Sequence, residues 1–180
     1  MASGVDPIAY RRAIGRFATG VTVITTVVDG AQHALTCNSL TSVSLEPVLL
    51  LFCAEKVARF HDVVLEAGTW AVSVLAAGQQ DLSGRFAARG RPLEDQFSDI
   101  PFRPGRLTGA AIVAGALASI ECRTRSTLDA GDHTVVLGEV LAVDNPAREA
   151  PPLLYFDGRY RTIDPGGAHD GQPDRILGSG

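Results

Sequence analysis

Short runs of β-branched and aliphatic residues recur along this chain, and turn or helix signals separate them. VTVITTVVDG (21–30), VLLLFCA (48–54), TWAVSVLA (69–76), AIVAGALASIECRTRSTLDAG (111–131) and HTVVLGEVLAVDN (133–145) all read as strands. VTVITTVV stops at Asp29-Gly30, a hairpin-type turn. VLLLFCA is continuously apolar, as in a strand buried on both faces. In TWAVSVLA, Trp70, Val72 and Val74 fall on one side. PLLYFDGRYRTI (152–163) reads as a last strand or hairpin. Helices are fewer. Asp6 can cap a helix over IAYRRAIGRFA with Pro7 in its first turn and Gly20 beyond its end; Ile8, Ile14 and Phe17 give it an apolar stripe. Arg59 to Ala67, closed by Gly68, and QQDLSGRFAARG (79–90) read as two more. RPLEDQFSDIPFRPGRLTG (91–109) reads as a long loop.

Six or seven strands with two or three short helices predict a mainly β (α+β) chain, a closed or nearly closed antiparallel barrel with helices outside. A doubly wound sheet would alternate strand and helix regularly. Neither Gly-x-Gly-x-x-Gly nor Gly-x-x-x-x-Gly-Lys-Ser/Thr is present. The 180 residues suit one domain, expected over 1–164, with a Gly/Pro/Asp-rich, flexible tail over 165–180. A net charge of -4 with interspersed signs gives no basic face for nucleic acid. No apolar run approaches the ~20 residues of a membrane helix. MASGVDPIAYRRA lacks a signal-peptide core, so a cytoplasmic protein is expected. Cys37, Cys53 and Cys122 are odd in number and far apart, which suits reduced thiols rather than disulfides or zinc. His33, His61 and His169 have no metal spacing, and no metal is expected.

Two stretches carry chemistry. In TCNSLTSVS (36–44), Thr36, Asn38, Ser39, Thr41, Ser42 and Ser44 bear hydroxyls or an amide between two apolar runs. Such a segment can line a planar polar ligand or a phosphate, or it can be a turn bonding its own backbone. In DAGDHTVVLGEV (129–140) a polar turn runs into an apolar strand with His133 at the junction. Alone, His133 could cap the strand or act on a substrate.

Taken in order, FATGVTVITT, LTCNSLTSVSLEPVLLLFC, WAVSVLAAGQQDLSGRFA, DAGDHTVVLGEV and LLYFDGRYR resemble the flavin reductase-like family, the reductase components of two-component flavin-dependent monooxygenases. The resemblance covers about residues 8 to 163. It implies a split antiparallel β-barrel with short flanking helices, binding FMN or FAD and usually forming a homodimer. It implies hydride transfer from NADH or NADPH to the flavin, which passes to a transient monooxygenase partner.

Roles follow from the resemblance. Thr36, Cys37, Asn38, Ser39 and Leu40, with Ser42, match the segment along the isoalloxazine ring. The family's phosphate motif resembles Arg/Lys-Ser-x-x-Thr. Here Lys56 takes the basic position, while Val57 and Phe60 replace hydroxyls. That departure weakens the phosphate grip or shifts it onto Lys56, Arg59 and helix-start amides. Arg85 and Phe86 match a position reaching toward the flavin phosphate and tail; by residue type they are equally a surface Arg and a core Phe. His133 matches the histidine of a Gly-Asp-His motif beside nicotinamide and flavin, first a positioning residue and second an acid/base, with Asp132 orienting it or capping the turn. Arg159 and Tyr160 match a motif near the pyridine nucleotide, or form a final strand with a snorkelling Arg and a packed Tyr. Two other expectations stay open: a protein with tightly bound prosthetic flavin, and a barrel without flavin that acts in assembly.

Overall fold

A computed structural model describes residues 4–90, 96–146 and 150–163. The expected tail over 165–180 lies outside the described residues. Seven antiparallel strands form the main sheet, in the order β3 (Ala31–Cys37), β2 (Thr22–Val28), β6 (Thr69–Val74), β9 (Ala118–Ala130), β10 (His133–Asp144), β5 (Val48–Glu55), β4 (Thr41–Leu45). β3 and β4 follow each other in sequence but sit at opposite edges of the sheet. In a flat sheet, six gaps of ~4.8 Å would put those edges ~29 Å apart. Only Asn38, Ser39 and Leu40 connect them, and the four steps from Cys37 to Thr41 span at most ~14 Å. The sheet must therefore roll up. The bond from the Cys53 backbone N–H to Ser39 Oγ, at 3.0 Å, ties the connection to β5. β3 and β4 share no ladder, so the barrel is split where the polar segment runs.

Two apolar clusters fill the fold. One holds Ile24, Phe52, Trp70, Val72 and Val136, into which α2 (Arg59–Ala67) packs Phe60 and Val64. Phe52 and Trp70 meet edge to face at 4.8 Å. The other holds Val21, Val23, Leu75 and Leu153 under Phe86 of α3 (Gln80–Ala87). Ile24 and Val23 serve different clusters because successive strand residues point to opposite faces. Gly138 of β10 is a packing requirement: a Cβ there would fall on the Trp70 ring.

Several boundaries differ from the sequence expectation. Helix α1 (Pro7–Ile14) has its predicted Asp6 cap, which accepts from the Ile8 and Ala9 N–H, but it ends at Gly15 rather than Gly20. Its apolar stripe is not buried: Ile8, Ile14 and Phe17 are all exposed. TWAVSV is buried on both faces, since Ala71 and Ser73 are as inaccessible as Trp70. The expected 91–109 loop contains β7 (Phe102–Pro104), which pairs with β8 (Ala111–Val113). The run 111–131 is two strands, β8 and β9, broken at Gly115, whose φ of 81° favours glycine. The last segment is a hairpin, β11 (Leu154–Phe156) and β12 (Arg159–Arg161); β1 (Thr19–Gly20) pairs with β11.

Buried Glu121 of β9 fixes the loop before β8. It accepts bonds from the backbone N–H of Arg106, Leu107 and Thr108 and from Thr108 Oγ1, at 2.8 to 3.0 Å. Burial alone would raise its pKa; these four donors outweigh burial and hold it below the ordinary carboxylate value.

Candidate functional site

One end of the sheet gathers β5, the start of β10 and the start of α2. His133 opens β10 and pairs across the sheet with Glu55, the last residue of β5. The turn after β5 leads within three residues into α2, whose N-cap residue Ala58 supplies no capping side chain. Between α2, β3 and the end of α3 lies a cleft of about 180 Å³. Its walls are Leu35, Phe60 and Phe86; its polar lining includes His33, Glu55, Arg59, Arg89 and Gln96. Burial lowers the His33 pKa, which favours its neutral form.

His133 is half-buried, and its Nδ1 lies 2.7 Å from Asp132 Oδ1. The hydrogen bond from the His133 ring, then the ring's charge, holds the Asp132 carboxyl below its ordinary range. An ionised carboxylate only accepts, so Nδ1 carries a proton and Nε2 is the nitrogen left for a ligand. Two groups fix the strand end that bears His133. Lys56 Nζ donates to Asp129 Oδ2 and to the Gly131 carbonyl, each at 2.7 Å, and the Lys56 N–H donates to the Asp132 carbonyl at 2.9 Å. His61 Nε2 lies 2.8 Å from Thr134 Oγ1, tying α2 to the residue after His133.

The polar segment divides by side. Thr36 Oγ1 donates to the Ser83 carbonyl at 2.6 Å. Cys37 is buried, with its thiol pushed up by burial, so only its backbone can meet a ligand. Ser39 Oγ, besides accepting from Cys53, lies 3.1 Å from Cys37 Sγ. Leu40 packs on the first core cluster. Asn38, Thr41 and Ser42 remain exposed, so this segment offers those three side chains and its backbone.

The other expected residues are dispersed. Val57, Arg59, Phe60 and Phe86 line the cleft, Phe60 and Phe86 as the outer faces of core residues. Val57 is exposed and offers no donor. Lys56 is engaged by the 129–131 turn rather than by the cleft. The Arg85 guanidinium is held by Asp99 at 2.7 Å and the Gln96 carbonyl at 3.2 Å. Arg159 is exposed; Tyr160 packs on the second cluster, its hydroxyl 2.8 Å from Ser83 Oγ. Among the described residues no cluster of three His, Cys, Asp or Glu could hold a metal, and no helix is long and apolar enough to cross a membrane.

Sequence reasoning missed Glu55, Arg89, His61 and Ser83. Arg89 had one signal, its place one turn beyond Arg85 at the end of a predicted helix. The others act through partners distant in sequence.

Comparison with known proteins places this geometry. A family model described as the flavin reductase like domain matches residues 14–164. The chain is 41% identical over 166 residues to the reductase subunit HsaB of a flavin-dependent monooxygenase from Mycobacterium tuberculosis, covering 92% of this chain and 87% of that protein. It superposes with a TM-score of 0.83 on the NADH:FAD oxidoreductase SgcE6 of Streptomyces globisporus in complex with NAD and FAD fragments, at 40% identity over 93% of this chain and 100% of that one. It gives the same TM-score on BorF, the flavin reductase component of a bacterial two-component tryptophan halogenase, at 42% identity over 88% and 98% of the two chains. A match that runs from the end of α1 past β12, and takes in the split barrel, the polar connection and the His133 turn, shows that the chain belongs to the flavin reductase-like family.

Proposed function

We propose that this chain is an NADH-dependent flavin reductase, reducing FAD or FMN and supplying reduced flavin to a separate monooxygenase. The observation that carries the reading is that the end of β5 links three features: the Cys53 N–H bonds Ser39 of the Asn38–Leu40 connection, and Glu55, two residues on, pairs with His133 and lines the apolar-walled cleft. Relatives named for this activity match over nearly the whole chain. The residues fit a flavin. Asn38, Ser42 and the connection's backbone supply donors for the polar edge of a planar ring, and the cleft offers cations for a phosphate.

When bound, the flavin supplies a hydride acceptor, its N5, for the hydride leaving C4 of the nicotinamide. The chain's own task is placement, since the rings must meet at roughly 3–3.5 Å. The connection at the barrel split holds one ring. His133, fixed through Nδ1 by Asp132, presents Nε2 to the nicotinamide carboxamide, whose oxygen and amide group can meet either protonation state of that nitrogen. Donors from Asn38 and the connection stabilise negative charge developing on the pyrimidine side of the ring. Residues to 164 work as one domain, in the cytoplasm. The working form is a homodimer, supported by apolar side chains left open to solvent on and beside α1 (Ile8, Ile14, Phe17) and on the β4–β5 hairpin (Val43, Leu45, Val48).

Anaerobic mixing of the protein with NADH and free FAD or FMN tests the reading. Catalytic bleaching of the visible flavin band is expected. Bleaching no faster than in a protein-free control contradicts it.

A further inference from the structure

Of the basic side chains to which the resemblance gives a phosphate, Arg59 lines the cleft, and the structure uses the other two elsewhere. Lys56 holds the 129–131 turn, Val57 and Phe60 carry no donor, and Arg85 is engaged by Asp99 and the Gln96 carbonyl. The cleft has another cation at its rim. Arg89, just beyond α3, reaches across to Glu55 at the end of β5, its Nη2 lying 2.7 and 3.0 Å from the two carboxylate oxygens. One nitrogen shared between two oxygens is not the paired fork that a guanidinium makes with an optimal oxyanion. The Arg89 side chain is 80% exposed and that of Glu55 34%, and an ion pair so open to water is easily exchanged. Both residues line the cleft.

We propose that Arg89 recognises the phosphate of the flavin nucleotide, and that Glu55 is an internal stand-in for that phosphate. Glu55 holds the guanidinium over the cleft until the ligand displaces it. The inference rests on the flavin reductase reading. A phosphate offers Arg89 three terminal oxygens in FMN, or two on each phosphorus in FAD, and with them the fork geometry that Glu55 does not provide here. Glu55 in turn competes for Arg89 and repels an incoming dianion. The two partners of one ion pair therefore act in opposite directions on nucleotide binding, whereas two halves of a structural strut would act in the same direction.

Steady-state KM values with riboflavin, FMN and FAD, together with the KM for NADH, test this in the full-length protein and its R89M, R89K and E55Q variants. Riboflavin lacks the phosphate. R89M is expected to raise the KM for FMN and FAD by about tenfold or more beyond its effect on riboflavin, the loss of a charge-assisted contact. R89K should fall between R89M and the parent, since it keeps the charge but not the fork. E55Q should lower the KM for FMN and FAD relative to riboflavin, by about two- to fivefold. Three outcomes overturn the inference: R89M and E55Q shifting KM in the same direction, all three flavins responding equally to R89M, or R89M raising only the KM for NADH, which would assign Arg89 to the nicotinamide nucleotide. Failure of the parent protein to reduce any of the three flavins would instead remove the flavin reductase reading.

Discussion

The His133 imidazole is fixed at Nδ1 by Asp132 and through its backbone by the start of β10, so its orientation depends on the turn at 129–132. Replacing it by alanine removes a positioning contact without disturbing the core. H133A is expected to lower kcat/KM for NADH by about 10- to 100-fold, with a smaller change in the KM for flavin, in steady-state kinetics. Lys56 acts on the same turn. K56M is expected to shift the KM for NADH in the same direction but by less, and to affect riboflavin and FMN alike; a loss confined to FMN and FAD would place Lys56 on the phosphate instead. The Gly-Asp-His turn was legible in the sequence because its signal is local, a polar turn running into a strand. The bond from Lys56 to that turn was not, because Asp129 lies 73 residues away and only the β5–β10 pairing brings them together. The same holds for Arg89 and Glu55, 34 residues apart across the cleft.

Elements position the site through the three-residue connection between β3 and β4. Ser39 ties that connection to β5, so S39A leaves the Cys53 N–H without its partner. It should cost about 1–2 kcal/mol in chemical denaturation. Glu121 secures the loop at the other side of the barrel, and E121Q should cost about 2–4 kcal/mol at neutral pH, since an amide cannot accept from all four donors. Its folded pKa lies below the ordinary 4.5, so its contribution is fully present above that value and is lost as pH falls through the lower, folded value. The gap between parent and E121Q should therefore close on acidification in denaturation curves taken below that pH; a constant gap would show that the carboxylate's charge is not what holds the loop. Strand existence was legible from β-branched runs such as VTVITTVV. Strand order was not, because the placement of β3 and β4 at opposite edges is set by non-local pairing. The α1 stripe shows a further limit: Ile14 and Phe17 lie six and nine residues after Ile8, not at the three, four or seven of one helix face, and none of the described residues covers them.

At the scale of the whole molecule, that uncovered surface and the site's open end belong together in the proposed account. The proposed homodimer would bury the apolar residues of α1 and the β4–β5 hairpin, and analytical ultracentrifugation should then give twice the chain mass. Glutamate at Ile8 and Ile14, both exposed here, should shift it toward the monomer without unfolding it. The central claim is catalytic, and it is tested most directly by the initial rate of NADH oxidation against flavin concentration, with the visible spectrum of the purified protein recorded beforehand. The account predicts a colourless protein whose turnover saturates with added FAD or FMN and is negligible without them. A yellow protein whose rate ignores added flavin, or a colourless one that never oxidises NADH, would contradict it.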